Sequence, residues 1–437
     1  MIRPTQRAAL LFAATETPAL LLMVAREEFW PLSVGLAALV LLLIGMDALL
    51  GTPASRLKVS VTAPSRLPVG SSGEIIVAIT DATGAGVTIF EALAEHSGEM
   101  GPPRPAFARA DRQGRAVAHL ALEVMRRGVV RLDAVWLKWR GPFGLTERIR
   151  RVPQAKSIDV IPDVRGVRAV ALQFNARESL YGIKAQQQKG EGAEFESLRE
   201  HAAGLDNRFI DWKRSARHRK LLSKEFRTER NHHVILAFDT GHLMAEPIDG
   251  LSRLDHAINA GLLLSYVCLR SGDLVGVYGF DAGARQFVQP GRGLSWYPKL
   301  QRSVGALAYQ TVETNFTLGL AELNSRLHRR ALIVLFTEFV DETTAELLIE
   351  SLQGMANRHA VVFVTLRDPQ LGRLFNAPPD RFVAAAEAVV AYDFLREKAI
   401  VLERLERLGV HCLETTAKGL STRLINRYLA MKERGLV

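Results

Sequence analysis

The amino-acid sequence predicts an α/β protein: a transmembrane helical hairpin, a small all-β sandwich, then a Rossmann-type domain on a mostly parallel sheet. Three observations carry that expectation. Two long apolar runs open the chain. Short alternating segments broken by Gly, Pro and Ser clusters follow. From His233 onward, apolar strand-like runs alternate with amphipathic helical ones. The 437 residues are enough for two or three cores, and 48% apolar with 23% charged residues suits folded protein rather than disorder. The expected boundaries are 1–52 for the hairpin, 57–162 for the sandwich, 163–230 for a basic connector and 231–437 for the Rossmann-type domain.

The stronger apolar run, Trp30 to Leu50, has no charge before Asp47 and is long enough to cross a bilayer. The weaker one, about Ala8 to Ala25, carries Glu16 and Pro18. A cleaved signal peptide is its competing reading, but no Ala-x-Ala-like site precedes Arg26-Glu27-Glu28 and a second span follows at once. Residues 8–50 are therefore expected to lie in the lipid bilayer. Arg3 and Arg7 flank one side, and Arg56, Lys58 and Arg66 the other. The positive-inside rule then puts both ends and everything after residue 51 on the cytoplasmic side of the inner membrane. Glu16 is costly in lipid. It is expected either to face the partner helix or a neighbouring subunit, or to sit shallow, protonated or snorkelling.

Between 57 and 160, the segments 57–62, 74–79, 116–122 and 129–135 alternate or are rich in β-branched residues, which predicts a small antiparallel sandwich. The turn Gly141-Pro142-Phe143-Gly144 is expected to plug its ring between strand ends. In the connector, 186–192 reads as a flexible loop, Glu194–Ala202 has helical spacing, and an extended piece runs through Phe226. Beyond it, strands are expected at 233–239, 274–280, 284–289, 331–337, 360–366 and 409–414. Helices are expected at 252–270, 295–309, 317–329, 343–357, 383–407 and 418–433. The short hop from 280 to 284 implies one antiparallel strand in an otherwise parallel sheet.

The chemistry is less explicit. A net charge of +10 favours an anionic partner such as a membrane face, an acidic protein or nucleic acid. No helix-turn-helix, finger or aromatic platform is visible, so nucleic acid is not the expected partner. Cys268 and Cys412 lie far apart in apolar segments, which excludes a disulfide framework and suits a reducing compartment. His232 and His233 point to opposite faces of a strand and do not share an ion. No Gly-x-Ser-x-Gly elbow, Walker A loop, zincin helix or dinucleotide loop follows a strand. Ser215 and Ser223 lie near His218 in sequence, but nothing fixes a triad. The segment Arg208–Arg230 is strongly basic. It reads either as a contact for an anionic surface or as a structural clasp in which Asp206 and Asp211 pair with arginines and Trp212 packs over the sheet.

Residues 194–200, Gly204-Leu205-Asp206 and Ile210-Asp211-Trp212-Lys-Arg-Ser215-Ala216-Arg217 together resemble the signature of the family known as domain of unknown function 58. Arg127-Gly128 and Gly141-Pro142-Phe143-Gly144-Leu145 resemble the ending of its β domain. The chain departs at Leu205, where the family has Asp, and near His201, where it has an aromatic. The resemblance implies a membrane-anchored protein with a von Willebrand A-like domain, associated with MoxR-type AAA+ ATPases and with client proteins. It implies a role as a non-enzymatic adaptor in assembly or maturation. Such domains hold a divalent cation with Asp-x-Ser-x-Ser, a threonine and a further acid. The matching positions here are Asp239, Gly241, Leu243, Thr314 and Glu338. Gly241 and Leu243 supply no side-chain oxygen, so the expected state is a degenerate site, with weak Mg²⁺ binding by Asp239, Thr314, Glu338 and waters as its upper limit. A metal-dependent hydrolase using Asp239 or Glu338, and an envelope scaffold without an ATPase partner, are the alternatives.

Overall fold

The computed structural model describes residues 1–80, 88–98, 101, 103–167, 189–201, 210–218, 220–227, 231–339, 342–376 and 381–436. Contacts divide the chain into two units, 1–162 and 163–437.

The first unit contains two helices, Gln6–Ala25 and Trp30–Leu50, each long and apolar enough to cross a membrane. Thr5 caps the first by accepting the Ala8 N–H, and Pro31 sits in the first turn of the second, where its missing N–H costs nothing. Leu10, Leu21, Leu41 and Leu42 point outward, while Glu16 is buried between the helices and accepts a hydrogen bond from Ser33 Oγ at 3.0 Å. This placement decides between the two readings of Glu16: it faces the partner helix.

Two sheets follow. One runs Ile2–Pro4, Thr146–Ile161, Gly128–Arg140, Ile89–Ser97, Ala106–Arg109, with Arg66–Pro68 beside Thr146–Ile161. The other runs Lys58–Thr62, Ser72–Thr80, Ala116–Glu123. Alternate residues of each are buried: Ile75, Val77 and Ile79 in one strand, Ala118, Leu120 and Leu122 in its neighbour. The expected antiparallel pairing holds except for Arg66–Pro68, which pairs in parallel.

Asp47, fully buried in the last turn of Trp30–Leu50, ties the hairpin to the larger sheet. Its Oδ1 accepts from the Phe143 N–H at 2.6 Å, and its Oδ2 from the Thr146 N–H at 2.6 Å and the Thr146 hydroxyl at 2.7 Å. A Cβ on Gly141 would collide with this carboxylate, which is why the turn needs glycine there. Arg148 donates to the carbonyls of Ala48 and Thr52, satisfying the carboxyl end of the same helix. Phe143 does not plug the strand ends; it is exposed, and Trp139 is the buried ring instead, its indole N–H bonded to the Thr52 carbonyl at 3.0 Å. The reason is that Asp47 claims the backbone of the turn and turns its side chain outward.

The second unit is built on a six-stranded sheet in the order Ala284–Gly291, Leu274–Phe280, His233–Asp239, Ala331–Phe336, Ala360–Leu366, His411–Thr415. Every pairing is parallel except the hairpin Leu274–Phe280 with Ala284–Gly291. Strand alternation splits the core. Val234, Leu236 and Phe238 pack under the helices Arg253–Arg270 and Leu420–Glu433. Ile235 and Ala237 pack under Phe316–Arg326, Glu342–Ala356 and Phe382–Arg407. The helix Pro369–Asn376 was not expected from the sequence.

The helical expectation for 194–202 is overturned. Lys189–Glu200 is a strand, paired antiparallel with Leu222–Arg227, Phe195 opposite Phe226 and Leu198 opposite Lys224. A backbone partner overrides a weak helical spacing. The same strand takes Lys189–Gly192 out of the expected loop, whose residues 186–188 lie outside the described ones.

Substituting Asp47→Ala strands three donors, two of them buried. Thermal denaturation of the full chain in detergent should show a loss of about 3 kcal/mol or more for the first unit. A melt that moves by less than a degree would make the carboxylate dispensable.

Candidate functional site

The strands His233–Asp239 and Ala331–Phe336 lie side by side, and the helices that follow them leave for opposite faces of the sheet. This reversal opens a crevice at the carboxyl edge, the place where open α/β sheets bind ligands. Asp239 and Glu338 are delivered there because each directly ends or follows one of these strands.

Asp239 is buried and saturated. Its Oδ1 accepts from the Gly241 N–H at 2.8 Å and the Thr314 hydroxyl at 2.6 Å, and its Oδ2 accepts from the Thr337 hydroxyl at 2.5 Å. Burial disfavours the charged form and pushes the carboxyl up to about 6. The hydrogen bonds from Thr314, Thr337 and Gly241 pull the other way, and the nearby Asp281 adds to the rise. Asp281 is itself buried, with Arg285 Nε at 2.6 Å and the Thr240 hydroxyl at 3.1 Å.

Gly241 explains why the site is closed. A Cβ there would overlap Thr314 Oγ1 and come within 3.1 Å of Asp239 Oδ1. The threonine hydroxyl has moved into the volume a serine would need. Leu243, in the short helix His242–Ala245, brings no oxygen.

Glu338 keeps different company. Its Oε1 accepts from Lys398 Nζ at 2.9 Å, its Oε2 from Arg253 Nη1 at 2.9 Å, and the Thr365 hydroxyl donates at 2.9 Å to both. Lys398 also reaches the Leu366 carbonyl at 3.1 Å, and Arg253 Nη2 lies 3.7 Å from Glu246 and from Asp368. A buried pair of this kind holds its elements in one arrangement, and removing one member leaves an uncompensated charge. Of the three expected ligands, Asp239 and Thr314 are thus joined directly, whereas the carboxylate of Glu338 is turned to two cations. This donor set does not fit Mg²⁺, which takes oxygens at about 2.0–2.1 Å in octahedral array: Thr314 is committed to Asp239, and Glu338 is already neutralised.

The signature residues are structural at two points and exposed at two. Asp211 accepts the Arg214 N–H at 3.1 Å, starting the helix Trp212–His218. Ser215 is buried and accepts the Leu222 N–H at 2.8 Å. Trp212 is 67% exposed, so it does not pack over the sheet, and Arg217 is exposed beside Lys213. Asp206 lies outside the described residues, as do Arg208, Arg219 and Arg230. Ser223 pairs with His201 Nδ1 at 2.7 Å, a partnership the expected proximity to His218 missed.

Sequence reasoning also missed Thr337, Arg253, Thr365 and Lys398. Lys398 left a signal: with Ala391, Val401 and Leu405 it occupies the buried stripe of Phe382–Arg407, a position where a lysine needs an acid. The same helix and Pro369–Asn376 form an apolar cleft of about 370 Å³ lined by Leu371, Leu374, Phe382, Val383 and Val390. Phe382 is 89% and Val390 69% exposed.

Residues 197–388 match the family described as "Protein of unknown function DUF58". No curated protein matches the chain. Among solved structures, the conserved hypothetical protein BatB from Bacteroides thetaiotaomicron is 15% identical, covering 40% of this chain and 98% of its own, with a TM-score of 0.24. An uncharacterized membrane spanning protein from Vibrio fischeri is 11% identical, covering 46% of this chain and all of its own, with a TM-score of 0.18.

Two outcomes follow from the geometry. The native state holds the Asp239 proton more tightly than the unfolded chain does, so this group's contribution to stability falls as pH rises from about 4 to about 6, by roughly 3 kcal/mol in all. Asp239→Asn should flatten that slope relative to the unsubstituted protein in denaturation at pH 4.5 and 7; parallel profiles would contradict the assignment. Gly241→Ser, which rebuilds part of the expected metal motif, should lower stability by about 1–3 kcal/mol through overpacking, and added Mg²⁺ should not restore the melting temperature.

Proposed function

The chain belongs to the DUF58 family through residues 197–388, and on that premise we propose that it is a membrane-anchored adaptor that binds other proteins rather than catalysing a reaction. We read the six-stranded unit as von Willebrand A-like, with its metal motif converted into a hydrogen-bonded core. The two apolar helices would anchor the chain in the inner membrane, with the bulk of it on the cytoplasmic side.

The observation that carries this reading is the exposed apolar cleft between Pro369–Asn376 and Phe382–Arg407. Contiguous exposed apolar surface on a folded domain marks a place where another protein docks. The cleft grows from the carboxyl end of the strand Ala360–Leu366, and Lys398 pins its longer helix to that edge through Glu338 and the Leu366 carbonyl. A MoxR-type AAA+ ATPase is the partner we assign to it, with client proteins held by the same chain. Docking would let ATP-driven movement in the partner be passed to the client. Hydrolysis by Asp239 or Glu338 gains no support, since both carboxylates are committed to intramolecular donors.

Val390→Asp places a charge in the cleft without touching the core. Co-purification of the full chain in detergent with the ATPase should fall at least about ten-fold for this variant, the loss expected when a charge enters an apolar contact, with an unchanged melt. Equal recovery of the ATPase by both proteins would refute the docking site, and recovery by neither would favour a scaffold that has no ATPase partner.

A further inference from the structure

At the foot of the N-terminal hairpin the first unit holds a cavity of about 380 Å³. Its floor is the outer face of the larger sheet. Glu91 stands opposite Lys138 on one side and Phe107 on the other, so alternation puts Ile89, Glu91, Phe107, Lys138 and Arg140 on that one face. Its rim is the Gly141–Gly144 turn together with Arg7, from the first turn of Gln6–Ala25. The rim is fixed: the Thr5 hydroxyl donates to the Gly144 carbonyl at 2.7 Å, and Asp47 holds the Phe143 N–H.

The charge around this cavity is unbalanced. Arg7, Lys138 and Arg140 face one acid, Glu91. Glu91 lies 3.3 Å from Lys138, and Glu147 pairs with Arg3 and lies 3.7 Å from Lys138, so both acids are already engaged by other cations. The guanidinium groups of Arg7 and Arg140 have no ion-pair or hydrogen-bond partner among the described residues. Three large apolar side chains stand exposed around the same opening: Phe107, Ile89 and Phe143. Guanidinium forks suit phosphate oxygens, and exposed rings beside them suit the glycerol and upper acyl region of a lipid. Both sets lie where the apolar helices begin and end, at Gln6 and Leu50.

We propose that this cavity binds the phosphate headgroup of an anionic phospholipid, with Arg7 and Arg140 holding the phosphate and Phe107, Ile89 and Phe143 meeting the chain side. The proposal rests on the membrane-anchored reading above. A zwitterionic headgroup would bring its own cation against the arginines, and a free phosphate would leave the rings unused.

The test uses the full chain, purified in a zwitterionic detergent and titrated with short-chain phosphatidylglycerol, short-chain phosphatidylcholine or inorganic phosphate, with binding read by native mass spectrometry. Phosphatidylglycerol should bind saturably and at least about ten-fold more tightly than either of the others. The double variant Arg7→Gln, Arg140→Gln should weaken it about thirty-fold, the change expected for two basic residues at an anionic surface. Glu91→Gln, which removes the acid lining the cavity and leaves the cations, should tighten it, so a folding defect in the double variant does not shield the idea. Inorganic phosphate binding as tightly as the lipid would overturn the lipid assignment, and so would equal affinities of the unsubstituted and double-variant proteins. Extraction of the chain from membranes by alkaline carbonate would instead defeat the anchored reading itself, an outcome separate from unchanged lipid affinity in a chain that stays embedded.

Discussion

A carboxylate carried into the interior at the end of an apolar strand or helix must be met by donors, or it costs more than the surrounding packing returns. That constraint organises both units. Asp239 collects a backbone N–H and two threonine hydroxyls, Glu338 collects a lysine, an arginine and a threonine, and Asp47 collects two backbone N–H groups and a hydroxyl. Apart from the Gly241 N–H, the donors come from segments distant along the chain, so satisfying the acid also fixes where those segments lie.

At the strand-end crevice this has a chemical consequence. The donors that complete Asp239 and Glu338 are hydroxyls and cations of the chain itself, and they fill the volume where a ligand would otherwise sit. Thr314 stands against Gly241, and Lys398 and Arg253 stand against Glu338. The edge is thereby a platform whose two carboxylates are both held by intramolecular donors. In the adaptor we propose, recognition falls instead to the apolar cleft at Phe382 and Val390.

The periodic parts of the fold were legible in the sequence. Apolar runs such as Val234–Phe238 and Leu332–Phe336 announce buried parallel strands, and the short Asp281–Gly283 link announces the antiparallel hairpin. The Lys189–Glu200 strand was not legible, because its extended form depends on Leu222–Arg227 lying beside it rather than on its own pattern. The candidate site was half legible. Asp239 and Thr314 follow from a motif, but Thr337 looks like any threonine after a strand, and Glu338 looks like a ligand until its cations are seen.

By itself, then, the sequence determined the apolar spans and the strands and helices with a clear period of their own, because those depend on local periodicity and on glycine, proline and charge as punctuation. The tertiary structure alone decided which donor answers each buried acid: Lys398 for Glu338, Thr146 for Asp47, Thr314 and Thr337 for Asp239. Such pairs join residues far apart along the chain. Their meeting depends on the order in which strands enter the sheet and on which loops that order gathers at one edge, and no local pattern encodes that.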